Sequence, residues 1–177
     1  MNNFLFPIAV ILLSVVSLNS HNVFAKGVYQ TPEQYIHHIF AGKTSKANVI
    51  WLSKEDKKVI ADILNHSFNR LRLRYWQHNN ETVWVLDEIG KEKPITIGVH
   101  IKEQQIIDLK VLTFRESRGD EVRHEFFTKQ FNLAQLTADN QLSTHIDGIT
   151  GATLSVRALT KVARLALWLN MKAQTTI

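Results

Sequence analysis

The segment PITIGVHIKEQQIIDLKVL, residues 94–112, decides the fold of this 177-residue chain. Apolar residues alternate with polar or small ones on both sides of a short polar stretch, residues 102–105. A period of two places the apolar side chains on one face of a β-strand. The positions predicted to be buried are Ile95, Ile97, Val99 and Ile101 in the first strand, and Ile107, Leu109 and Val111 in the second. A connection this short predicts antiparallel pairing.

Two more strands are predicted upstream of this pair. Leu71, Leu73 and Tyr75 alternate with arginines, which is typical of a half-buried strand. Residues 82–89 are rich in β-forming side chains, and Asn79-Asn80 before them is a plausible turn. Short connections throughout predict a four-stranded antiparallel meander.

Helical signals flank the strands. Thr31, Pro32 and Gln34 form a capping box with proline at the first helical position, and Ser53 is a second capping residue. Residues 121–131 are predicted to be helical, with Val122, Phe126, Phe127 and Phe131 as apolar anchors; residues 133–146 are predicted to be mostly loop. Residues 154–171 predict a long amphipathic helix with Leu159, Val162, Leu165, Ala166 and Leu169 on one stripe. The expected fold is α+β: a twisted antiparallel sheet with helices packed on one face.

The stretch DGITGATLS, residues 147–155, lies directly before the long helix. Glycines let the backbone approach a ligand closely, and a helix N-terminus presents free N–H groups and the positive end of its dipole. Together these features predict a phosphate site. The same residues would also serve as an ordinary helix cap, and the two uses are compatible.

This stretch resembles the attachment motif of the FMN-binding domain family, which includes the C subunit of the sodium-translocating NADH:quinone reductase and the G subunit of the Rnf complex. The resemblance implies FMN joined through its phosphate to Thr153 by a flavin transferase that uses FAD as donor. It also implies that an attachment loop leads into the long C-terminal helix. The surrounding motif residues would be Asp147, Gly148, Thr150, Gly151, Ala152, Leu154 and Ser155.

Residues 115–122 resemble the second signature loop of small single-domain members of the family. The resemblance favours Glu116 and Gly119 as residues that border the flavin, whereas Arg118 could border the flavin or belong to an ordinary charged loop. A cation or N–H donor beside the ring would stabilise the reduced anionic flavin and raise its potential. The alternative interpretation is a charged loop with internal salt bridges. Four tryptophans are further candidates for stacking on the ring, although Trp is more often a core residue: Trp51, Trp76, Trp84 and Trp168.

The N-terminus predicts export. Residues 4–18 are almost entirely apolar and are followed by Val23-Phe24-Ala25, with small residues where a signal peptidase cuts. We therefore expect a signal peptide over residues 1–25 and a single FMN-binding domain over residues 26–177. Because no Lys or Arg precedes the apolar stretch, an uncleaved signal anchor is the alternative. The chain contains no cysteine, which excludes c-type haem attachment and iron–sulfur ligation by this chain.

The predicted function is an exported flavoprotein that transfers electrons between membrane-bound or periplasmic redox partners, in the periplasm or at the outer face of the cytoplasmic membrane. A flavin-dependent reductase of a small molecule and a flavin-free binding module are the alternatives. We expect no nucleic-acid partner. Adjacent His37 and His38 point in different directions on a helix, so a metal site there is disfavoured. A hydrolase triad of His145, Asp147 and Ser155 lacks the nucleophile elbow that such enzymes carry.

Overall fold

A computed structural model describes residues 27–43 and 45–175 of the chain. The predicted signal peptide, residues 1–25, lies outside the described residues. The helices and strands in chain order are α1 Pro32–Ile39, β1 Lys46–Trp51, α2 Lys54–Leu64, β2 Arg72–His78, β3 Glu81–Ile89, β4 Pro94–Lys102, β5 Gln105–Phe114, α3 Glu125–Thr128 and α4 Thr153–Thr175. Short 3₁₀ turns at Asp120–Arg123 and Lys129–Phe131 flank α3. Among these helices, none has the length and apolar character required to cross a membrane.

The sheet is an antiparallel meander with the strand order β1-β2-β3-β4-β5, which confirms the predicted architecture and adds one strand. Strand β1 was not predicted because its apolar residues do not all lie on the buried face. Ile50 is buried, whereas its neighbours Val49 and Trp51 are 43% and 66% exposed. Leu71, predicted to be a buried strand residue, precedes β2 and is 64% exposed.

Strand β5 corrects one predicted core position. Ile107 is 37% exposed and Ile106 is fully buried in its place. The cause is a register shift against β4, where His100 pairs with Asp108 but Ile101 pairs with Ile106. A bulge of this kind puts one extra residue into the strand and reverses which side chains face the core.

Helices cover both faces of the sheet, so the prediction that they pack on one face is wrong. α2 and α4 pack on the larger core, on what we call the inner face. α1 lies on the opposite, outer face, where Tyr35, Ile36 and Phe40 contact Val83 and Leu112. This second layer explains why β4 is buried on both of its sides.

The predicted caps are confirmed: Thr31 and Ser53 each form a capping box at the start of α1 and α2. The predicted helix over residues 121–131 is instead three short turns. The break after Arg123 leaves Phe127 and Phe131 in the core, while Phe126, expected to be an anchor, is 66% exposed.

Helix α4 runs along the inner face, and contacts at both of its ends fix its position. Near its C-terminus, the buried Thr82 hydroxyl at the start of β3 donates to Asn170 Oδ1 over 2.6 Å. Two turns into the helix, Lys161 lies 3.4 Å from Glu88 at the end of β3. The predicted stripe of Leu159, Val162, Leu165, Ala166 and Leu169 is buried. The N-terminus of α4 is thereby held at the end of the sheet that carries the β3–β4 turn.

Candidate functional site

The first turn of α4 presents free backbone donors. Gly151 has φ of +85° in the turn closed by the Ala152 N–H to the Ile149 carbonyl, and the first helical bond runs from Val156 N–H to the Ala152 carbonyl. Within the described residues, no group accepts from the N–H groups of Thr153, Leu154 and Ser155. The side chains of Asp147 and Thr150, which the capping interpretation would use, do not fill this role. The helix start is therefore available to an anion.

The second signature loop packs directly on this helix start. Gly119 is buried with φ of +85°, and a Cβ added to it would lie 2.7 Å from Ser155 Oγ and 3.4 Å from Ala152 Cα. Ala152 and Ser155 are themselves only 2% and 4% exposed. Two stretches about thirty residues apart in sequence thus form one site, and a residue with a side chain at position 119 would separate them.

A cleft of about 600 Å³ opens between the two stretches. It is lined by Lys91, Glu116, Ser117, Arg118, Gly151, Ala152, Thr153, Leu154 and Ser155. Thr153 and Leu154 are exposed, so the hydroxyl at the helix start is accessible from solvent. The structure therefore brings seven of the eleven predicted site residues to one cleft wall and packs Gly119 behind it.

Three predicted residues lie outside this wall. Asp147 and Thr150 are exposed, and no atom approaches the position of a Cβ at Gly148 within 4 Å. The Asp147 carboxylate lies 3.6 Å from His145 in a pair that is more than four-fifths exposed. The Asp147 backbone N–H donates to Gln130 Oε1 over 2.7 Å, so this residue anchors the loop rather than the cleft.

Two lining residues, Lys91 and Ser117, were missed by the sequence analysis. Lys91 lies in the β3–β4 turn, and nothing in the local pattern indicates that this turn meets the start of α4. Its Nζ lies 3.4 Å from the exposed carboxylate of Glu92. Arg118 is exposed and has no ion pair in the part of the chain that the structure describes. The cleft thus carries two cations close to free backbone N–H groups, which suits a phosphate.

The Glu116 carboxylate binds the backbone of the β3–β4 turn. Its Oε1 accepts hydrogen bonds from the backbone N–H groups of Lys91, Glu92 and Lys93, over 2.5 to 2.9 Å. Burial opposes ionisation of this carboxylate, but the three backbone donors outweigh burial and lower its pKa below the usual 4.5. Glu116 therefore holds the β3–β4 turn, and with it Lys91, against the cleft.

Replacing Glu116 by glutamine is expected to destabilise the fold by about 1 kcal/mol at neutral pH, because three hydrogen bonds lose a charged acceptor. A group whose folded-state pKa is lowered stabilises the fold above its unfolded pKa, and this contribution disappears as the pH falls through the folded value. The difference between variant and wild type should therefore shrink below pH 4.5. Urea unfolding across this range measures it. Glu92→Gln, an exposed neighbour in the same turn, should change stability little at any pH.

Several predicted candidates lie away from the cleft. None of the four tryptophans lines it: Trp84 is fully buried, Trp168 is 8% exposed and Trp51 packs under Arg72.

A second cavity, of about 490 Å³ and more apolar, lies between residues 66–70, β3 and α4, and contains no residue of either signature stretch. No group of three or more His, Cys, Asp or Glu side chains suited to a metal occurs among residues 27–43 and 45–175.

The part of the chain that forms this cleft is similar to a known protein family. Residues 90–167 match the FMN-binding domain family. The matched segment contains every residue predicted for the site, from Glu116 to Ser155, and the resemblance inferred from the two signature stretches is confirmed over it. The match supports a flavin-binding protein with FMN as its cofactor. Neither a curated protein nor a solved structure gave a significant match to the chain.

The donors of the cleft fit the phosphate end of FMN. The free N–H groups at the start of α4, Lys91 and Arg118 all favour a dianionic group, and the Thr153 hydroxyl is exposed beside them. The side chain of Leu154, 42% exposed at the same wall, adds an apolar surface. When bound, FMN supplies the capacity to accept and release electrons, and the protein supplies position and electrostatics.

Proposed function

We propose that this protein is an exported electron-transfer flavoprotein that carries FMN covalently on Thr153. The observation that supports the anchor is the position of Thr153: an exposed hydroxyl at the first residue of α4, within a cleft that also holds two cations. A flavin transferase would join the Thr153 oxygen to the FMN phosphate of FAD. The hydroxyl proton is lost and AMP leaves, so that the bond formed replaces the phosphoanhydride bond broken.

The exposure of the residues that line the cleft supports a role as an electron carrier rather than as an enzyme with its own substrate. Thr153, Leu154, Ser117 and Arg118 are all exposed, and a half-exposed cofactor suits close approach by a redox partner. The partners would be membrane-bound or periplasmic proteins, and the site of action would be the periplasm or the outer face of the cytoplasmic membrane. The predicted signal peptide supports this location.

The full chain produced with and without a flavin transferase, then denatured, tests the proposal. Intact mass should increase by one FMN less one water only with the transferase, and the increase should map to the peptide that holds Thr153. In-gel flavin fluorescence should follow the mass. Flavin that is released on denaturation would leave a noncovalent flavoprotein, and absence of any flavin would favour the binding-module alternative.

Direct reduction of a small molecule is the second candidate, because a groove of about 730 Å³ adjoins the cleft and shares Glu116 and Ser117 with it. The groove would place a substrate beside the cofactor. Reoxidation of the reduced protein separates the candidates. Turnover with soluble acceptors alone would favour a reductase, whereas a requirement for a protein partner would favour a carrier.

Replacing Arg118 by glutamine is expected to lower the midpoint potential of the tethered flavin, because a cation near the cofactor favours its reduced, anionic form. Spectroscopic redox titration measures the shift. Arg157→Gln removes the same charge from an exposed position on α4 that does not line the cleft, and should leave the potential nearly unchanged. Equal potentials in the two variants would contradict a tuning role for Arg118.

A further inference from the structure

An aromatic and basic surface lies on the outer face of the sheet at its β1 edge. Because side chains alternate along a strand, the buried Ile50 places Val49 and Trp51 on the outer face. The register pairs Val49 with Arg74, and Trp51 with Arg72. We call these four residues, Val49, Trp51, Arg72 and Arg74, the Trp–Arg patch.

No residue that the structure describes covers the Trp–Arg patch. Trp51 is 66% exposed and Val49 is 43% exposed. The Arg72 guanidinium lies 5.5 Å over the Trp51 ring and leaves most of that ring in contact with solvent. Helix α1 covers the outer face over β3 and β4, and stops short of the β1 edge. A cluster of large exposed apolar side chains on a folded domain marks an interaction surface.

The positive charge of the Trp–Arg patch indicates the charge of the partner that it binds. Arg72 and Arg74, together with the adjacent Arg70, are exposed and form no ion pair with an acidic group in the described parts of the chain. A second copy of the chain would set these arginines against arginines, which costs free energy. The partner is therefore anionic.

The apolar residues of the patch narrow the choice among anionic partners. Single-stranded nucleic acids stack their bases on a series of aromatic side chains, but Trp51 is the one aromatic residue of the patch, and its apolar neighbour there is the aliphatic Val49. Aliphatic and indole groups surrounded by arginines match the boundary between lipid headgroups and acyl chains, where Trp is enriched and basic residues bind anionic headgroups.

We propose that the Trp–Arg patch docks on an anionic phospholipid surface. Trp51 and Val49 would enter the headgroup region, and the arginines would contact lipid phosphates. The patch lies on the outer face at the β1 edge, whereas α4, whose N-terminus borders the cleft, lies on the inner face, so docking at the patch leaves the cleft open to a redox partner. The proposal involves no bound flavin and stands or fails independently of the flavin site.

Flotation of the full chain with phosphatidylcholine vesicles, with and without phosphatidylglycerol, tests this docking. Residues 4–18 would add affinity for either vesicle, but they contain no charged side chain. These residues therefore create no preference for anionic vesicles, and a loss of that preference on substitution within the patch reports the patch. Each arginine near an anionic leaflet contributes roughly a fivefold factor, so Arg72→Gln/Arg74→Gln should bind anionic vesicles about 30-fold more weakly at low salt, with a smaller loss at high salt.

Two further variants complete the experiment. Lys110→Gln/Arg157→Gln removes the same charge from exposed positions outside the patch and should retain the preference for anionic vesicles. Trp51→Gln should weaken binding several-fold at low and high salt alike, since it removes apolar rather than electrostatic contact. All five substituted positions are exposed, so thermal unfolding should be little changed.

Equal binding by the two double variants would overturn the proposal, as would equal affinity of the wild type for both kinds of vesicle. Stronger binding to soluble polyglutamate than to anionic vesicles would also overturn it and identify an acidic protein as the partner. A selective loss in Arg72→Gln/Arg74→Gln, combined with the salt-resistant loss in Trp51→Gln, would support it.

Discussion

Thr153→Ala is expected to abolish denaturant-resistant flavin while leaving the fold intact. The variant lacks the hydroxyl that would carry the phosphoester, and alanine has the highest helix propensity at what is an exposed first helical position. Stability should therefore change by less than about 0.5 kcal/mol. Co-production with the flavin transferase, denaturation and in-gel fluorescence would show no signal, a loss of effectively the whole wild-type yield.

Thr150→Ala is the matched control for this variant. Thr150 is an exposed threonine three residues earlier in the same loop, so it tests the loss of a hydroxyl without the loss of the anchor. Thr153→Ser should keep some covalent flavin because it keeps the hydroxyl. Flavin that persists on Thr153→Ala would contradict the assignment, and Ser117, the other exposed hydroxyl residue of the cleft wall, would then be the position to map.

Much of the fold could be predicted from the sequence, because in these elements the local residue pattern agrees with the packing in the folded protein. The apolar positions of β4 and the stripe of α4 are buried as predicted, since each set packs as an unbroken face on the core. The caps at Thr31 and Ser53 are confirmed because a capping box depends only on residues four positions apart or fewer. The two signature stretches identify the cofactor for the same reason: each is contiguous.

Other features depend on contacts that no local pattern encodes. The second layer of α1 packs on Val83 of β3 and Leu112 of β5 and lies close to Gly98 of β4, and the local patterns of these strands do not indicate that their outer side is covered. Ile107 was misplaced because a bulge depends on the partner strand. Lys91 reaches the cleft because the Glu116 carboxylate, twenty-five residues later, binds the turn that contains it. Long-range hydrogen bonds of this kind determine which charged residues reach the site, and no local sequence pattern indicates them.

Gly119→Ala is expected to destabilise the fold by about 3 kcal/mol and to weaken attachment of flavin. Part of this cost is conformational, since alanine at φ of +85° is strained by about 1–2 kcal/mol. The remainder is steric, because the new methyl group would lie 2.7 Å from Ser155 Oγ within a buried contact. Urea unfolding measures the loss, and the yield of covalent flavin at a temperature where the variant is folded measures the effect on the cleft.

Two other glycines of the site separate these causes. Gly151 has the same φ of +85°, but nothing lies within 4 Å of its added Cβ, so Gly151→Ala should show only the conformational cost of about 1–2 kcal/mol. Gly148 has open space and no positive φ, so Gly148→Ala should be nearly neutral. In Gly119→Ala/Ser155→Ala the clashing oxygen is removed, and about 1 kcal/mol should return. Equal losses at Gly119 and Gly151, with no recovery in the double variant, would show that close packing of the two signature stretches does not stabilise the site.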